Sequence, residues 1–113
     1  MTKNTMSIPK PYTDMKENYP DLVGSYEALG EACKVAGPLD EKTVSMIKLA
    51  TSMAAGLEGA AHSHTRKALQ AGCTAAELEH VAMLGTPTIG FPSMMRNLSW
   101  VRDVTNKLTN KQD

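Results

Sequence analysis

Two of the chain's three histidines sit in one short segment, His62-Ser63-His64, which directly follows Leu57-Glu58-Gly59-Ala60-Ala61. Imidazole titrates near neutral pH, so a segment of this kind supplies a general acid or base, or ligands to a metal. Helical geometry argues against one ion held by both rings, because residues two apart diverge by about 200° around a helix. No metal is therefore expected here. His64 is the stronger candidate. At helical spacing it shares a stripe with Leu57, Ala61 and Ala68, and an ionisable ring on an apolar face is either a satisfied core group or a group that exchanges protons with a ligand. Glu58 at the start of the same helix and Ser45 in the preceding one are placed to hydrogen-bond or polarise it, with His62 at the rim of any pocket.

Other chemical residues are weaker. Glu77-Leu78-Glu79-His80 is a single Glu-x-x-His, whereas a di-iron bundle needs two such elements and two further glutamates. Cys73 precedes a helix start, a position that lowers a thiol pKa, yet no resolving cysteine is nearby, so the choice lies between a reactive thiol and an inert linker residue. Cys33 falls on the apolar face of a helix and reads as a small core residue.

The elements that must position these groups are helical throughout. Residues 1–18 are polar, contain Pro9 and Pro11 and lack periodicity, which reads as an arm. Residues 19–113 then form one domain. A first helix covers about 21–36, with Leu22, Tyr26, Leu29 and Cys33 on one face and Gly37-Pro38 as its stop. A second begins at an Asp40 N-cap and presents Val44, Ile47, Ala50 and Ala54 inward, with Lys42 and Lys48 outward. A third spans about 58–71 and ends at Gly72. Thr74-Ala75-Ala76-Glu77 is a capping box for a fourth, which Pro87 interrupts. Pro92 suits the first turn of a fifth, carrying Met94, Leu98, Val101, Thr105 and Leu108 on one face, with 110–113 as a tail. The expectation is an all-α bundle of five or six helices.

Composition narrows the function. The 113 residues carry 12 basic and 12 acidic side chains, so no net field recruits nucleic acid or an anionic membrane. No run approaches the ~20 apolar residues of a membrane span and the N-terminus lacks a signal-peptide core, which points to a cytoplasmic protein. Two cysteines without a Cys-x-x-Cys agree with that compartment. Eight methionines against one phenylalanine and one tryptophan give an adaptable core or interface.

The run from Leu49 to Leu78, with His64, Ala68 and Ala71-Gly72-Cys73-Thr74-Ala75-Ala76-Glu77, resembles the carboxymuconolactone decarboxylase and alkylhydroperoxidase D-like family, and the likeness extends from about Leu39 to Val101. The resemblance implies an all-α subunit that assembles into homo-oligomers, dimers, trimers or hexamers. Its peroxidase branch carries two reactive cysteines and a glutamate. The corresponding positions here are Leu57, Ala60 and Ser45, so that disulfide cycle lacks its sulfurs. Its decarboxylase branch is closer, with a serine like Ser45, a Glu-Gly pair like Glu58-Gly59 and a histidine like His64. Where that branch resembles arginine, this chain has Val44, Leu57 and His62. The resemblance implies a cofactor-free lyase or isomerase acting on a small molecule, with His64, Glu58 and Ser45 as catalytic residues and His62, Leu57 and Ala60 lining the pocket. Two alternatives stand beside it: a peroxidase-type relative with a degenerate thiol site, and a non-catalytic oligomeric binding or scaffold protein.

Overall fold

Side-chain caps define two helix starts. Asp40 accepts a hydrogen bond from the Thr43 amide at 2.8 Å. Thr74 and Glu77 form a reciprocal capping box, Thr74 N donating to Glu77 Oε1 at 2.8 Å and Glu77 N to Thr74 Oγ1 at 3.1 Å. Each satisfies amides that a helix start leaves unpaired. The computed structural model describes residues 8–112. The helices are α1 (Lys10–Asn18), α2 (Pro20–Val35), α3 (Glu41–Ala54), α4 (Glu58–Gln70), α5 (Ala75–Leu84), the single turn α6 (Thr86–Ile89) and α7 (Phe91–Gln112). Among the described residues there is no strand, and no helix is long and apolar enough to cross a membrane. The all-α expectation is met.

The chain divides into two compact units, residues 1–39 and 40–113. The division falls after Leu39, and residues 10–18 are helical where an irregular arm was expected. Pro11 occupies the first turn of α1, where its missing amide costs nothing, and Lys10 pairs with Asp14 one turn on at 3.1 Å. Tyr12 donates to Glu27 of α2, and Lys16 lies 3.5 Å from the same carboxylate. The first seven residues of the expected arm, and Asp113 of the expected tail, lie outside the described residues.

A second difference concerns α2. Its apolar face, expected to be buried, is open: Leu22, Tyr26 and Leu29 are 61%, 65% and 62% exposed, and Cys33 is exposed too. Periodicity correctly identified an apolar stripe but carries no information on whether the same subunit covers it.

In the second unit, Leu49 and Met53 of α3, Ala61 and Ala68 of α4, Leu78 and Ala82 of α5, and Leu98 and Val101 of α7 form one core. The face α3 turns inward is Leu49, Ser52 and Met53, one position round from the expected stripe. Ile47, Ala50 and Ala54 of that stripe instead line an open groove against α5 and α6.

These packing and capping roles are separable in a urea unfolding series. Thr74→Ala should cost about 1 kcal/mol, the scale of a lost N-cap. Leu78→Ala should cost about 2–5 kcal/mol, because it opens a cavity in a fully buried position. Equal losses from the two variants would contradict this assignment.

Candidate functional site

The α3–α4 hairpin closes on glycine. Gly56 has φ of 74°, and around it Leu57 N donates to Ser52 O and Gly56 N to Met53 O, both at 3.0 Å. This is a Schellman closure, which requires a left-handed residue that glycine adopts without a Cβ clash. The end of α4 repeats it: Gly72 has φ of 99°, Cys73 N donates to Ala68 O and Gly72 N to Leu69 O. Arg96 of α7 reinforces the first closure, its Nη2 donating to Met53 O at 3.0 Å while the guanidinium stacks over Trp100. Both ends of α4 are thereby fixed, and with them the direction in which its side chains project.

His64 projects from α4 half-buried, and none of the hydrogen bonds among the described residues engages its ring. Burial, with Lys48 of α3 and Lys67 of α4 adding positive charge nearby, pushes its pKa down from the usual 6.5 to about 4. All three influences disfavour the imidazolium, so the ring is neutral at physiological pH, and among the described residues neither nitrogen is engaged in a hydrogen bond. An anion arriving beside the two ammonium groups would offset their charge and raise the imidazole's basicity, coupling ligand binding to readiness for proton transfer. Lys48, expected to point outward, is half-buried and joins this cluster. Helical spacing alone set it outward, and only the pairing of α3 with α4 brings its charge near His64.

The expected supports are distributed differently. Ser45 is half-buried on α3, one turn before Lys48, and makes no hydrogen bond to His64. Glu58 turns to His62, its Oε2 lying 4.0 Å from Nε2. His62 in turn meets Asp103 Oδ2 of α7 at 3.0 Å. Asp103 carried no sequence signal, since its contact with His62 depends on how α7 crosses α4. Leu57 is an exposed N-cap and Ala60 is half-buried on the first turn of α4. A Cβ built at Gly59 would meet nothing within 4 Å, so the space beside that position is open and no close backbone contact requires the glycine.

The remaining candidates recede. Cys73 is buried and its thiol pKa is raised, first by desolvation and then by the Glu77 carboxylate. The expected lowering by the helix start does not occur, and a thiol held protonated is a poor nucleophile. Glu77 is committed to its cap, whose amide hydrogen bond holds its carboxyl below the usual range, and His80 is exposed. A cavity of about 470 Å³ does open between α3, α5, α6 and α7, lined by Met46, Ile47, Val81, Leu84 and Ile89 among others. His64 is not part of its wall.

Comparison with known proteins agrees with this architecture. An uncharacterized protein of Haemophilus influenzae is 30% identical over 66 residues, which are 58% of this chain and 58% of that protein. The chain therefore spans 58% of that relative's length. No solved structure matches. Residues 20–103, which include the whole α3–α4 hairpin with Lys48, His62 and His64, match the model of the carboxymuconolactone decarboxylase family. With that match over most of its length and an all-helical fold, the chain belongs to the carboxymuconolactone decarboxylase family.

Proposed function

We propose that the protein is a cofactor-free lyase or isomerase acting on a small carboxylated molecule, with His64 as its general acid or base. The observation that carries this reading is a half-buried imidazole beside two lysines, with no hydrogen bond to its ring among the described residues. Loss of carbon dioxide, or migration of a double bond, next to a carbonyl passes through an enolate-type anion. Lys48 and Lys67 stabilise such an anion. In a double-bond shift the neutral ring takes the proton from one carbon and returns it as imidazolium to another, and after loss of carbon dioxide it relays a proton from water to the enolate carbon. In this reading the lysines take the place of the arginines absent at Val44, Leu57 and His62. Ser45, one turn from Lys48, orients the substrate, and Glu58 acts through His62 at the rim, near Leu57 and Ala60. A protonated Cys73 removes support from the thiol-peroxidase alternative.

The protein is further proposed to be a cytoplasmic homo-oligomer. The open apolar face of α2 supports assembly, since Leu22, Tyr26 and Leu29 are exposed along one stripe that a second subunit can cover. Light scattering that returns the monomer mass of 12.2 kDa at micromolar concentration would contradict this.

Assays of carbon dioxide release or double-bond shift across small carboxylated lactones and oxo acids test the catalytic reading. For the substrate turned over, His64→Ala should lower kcat by about 10²–10⁴ while leaving the oligomer mass unchanged. Lys48→Met and Lys67→Met should mainly raise KM, by roughly threefold to tenfold, the scale of a partly exposed charge contact. Undiminished turnover in His64→Ala would refute the assignment, and a complete absence of turnover across the panel would favour the binding-protein alternative.

The depressed pKa also fixes a pH dependence. His64 is neutral in the folded chain down to about pH 4, whereas in the unfolded chain it takes up a proton near 6.5. Its contribution to stability is therefore complete above pH 6.5 and is lost as pH falls towards 4. The urea midpoint of the parent should drop across that window, and His64→Gln should flatten the drop. A parallel decline in both proteins would contradict it.

A further inference from the structure

We propose that Glu58, His62 and Asp103 form a binding site for one divalent transition-metal ion of the Zn²⁺ type, separate from the proposed role of His64. Glu58 and His62 stand one turn apart on α4, and Asp103 is supplied by α7. One ligand atom from each side chain lies within 4.8 Å of both others, with His62 Nε2 at 3.0 Å from Asp103 Oδ2 and 4.0 Å from Glu58 Oε2. Around a tetrahedral ion with ligand bonds of about 2.0–2.1 Å, ligand atoms stand about 3.4 Å apart. Closing this triangle onto an ion needs only a small rotation of the exposed Glu58 side chain.

Charge favours the same conclusion. The imidazole Nε2 carries at most one proton, which serves Asp103 and leaves the Glu58 carboxylate with no hydrogen to accept from it. Among the described residues no lysine or arginine ion-pairs with Glu58 or Asp103, although Arg102, next to Asp103 in sequence, pairs with Glu79 of α5. A divalent cation at the centre would balance both carboxylates and accept the Nε2 lone pair. The proton moves to Nδ1 or to solvent as the ion takes its place on Nε2. One nitrogen with two carboxylate oxygens suits Zn²⁺, Co²⁺ or Ni²⁺ better than Mg²⁺ or Ca²⁺, which prefer all-oxygen shells. With three protein ligands the ion keeps an open position for water. It would also tie α4 to α7.

The test uses the untagged full-length protein after chelator treatment, in a Cys33→Ser background that removes the exposed thiol as a competing ligand. Isothermal titration with Zn²⁺ should give one ion per chain, and Co²⁺ should give visible bands of a nitrogen- and oxygen-ligated ion. His62→Ala should weaken binding at least tenfold, and Glu58→Gln and Asp103→Asn should each weaken it, with helical content unchanged by circular dichroism. Thermal stability should rise with added Zn²⁺ in the parent and not in His62→Ala. No saturable binding up to about 1 mM, a dissociation limit near 4 kcal/mol, would overturn the proposal. So would binding that survives His62→Ala unchanged. His64→Ala should leave the Zn²⁺ titration as it was, so this outcome is independent of the catalytic reading.

Discussion

The contact between α3 and α4 through small side chains governs the rest of the second unit. Ala61, Thr65 and Ala68 recur along α4 at helical spacing and are completely buried, against a core that includes Leu49 and Met53. An alanine face lets two helix backbones approach closely, and close approach brings the residues flanking the contact together across it. His64 and Lys67 flank that face on α4, and Lys48 reaches them from α3. Larger residues at 61 or 68 would push the helices apart and dissolve the cluster before touching any of its members. Thr65 keeps the seam polar-neutral by donating its hydroxyl to the Ala61 carbonyl within the same helix.

Much of this was legible in the sequence, and the failures have a common cause. Capping residues act locally, so Asp40, Thr74, Glu77 and Gly72 declared their roles from a few neighbours. Apolar periodicity likewise located α2, α3 and α7. What it did not resolve was which apolar face is covered. The α3 stripe of Ile47, Ala50 and Ala54 borders an open groove while Leu49 and Met53 carry the core, and the α2 face of Leu22, Tyr26 and Leu29 is left to solvent. Residues 10–18 were misread for a related reason. They carry side-chain pairs, Lys10 with Asp14 and Tyr12 and Lys16 with Glu27, in place of an apolar stripe that periodicity could detect.

The site shows the same division. His64 was found from its place within an apolar stripe, where among the described residues no hydrogen bond reaches its ring. Lys48 and Asp103 depend on contacts between helices distant in sequence, which no motif encodes. Asp103 draws His62 and Glu58 to one side of α4, while His64, two residues on, projects towards Lys48. The two histidines thus serve two environments, one bordered by carboxylates and one by ammonium groups. Cys73 illustrates the opposite lesson: a helix start favours a thiolate only where the sulfur remains solvated, and here burial outweighs it.

The charge state of His64 underlies the account of this site, and it can be read directly. A pH titration of the histidine ring resonances by heteronuclear NMR, with His64→Gln used to assign the signal, should place the His64 midpoint near 4, well below the usual 6.5. Addition of a small carboxylate that binds beside Lys48 and Lys67 should move that midpoint upward. A His64 midpoint at or above 6.5 in the free protein would contradict the neutral, lysine-flanked imidazole.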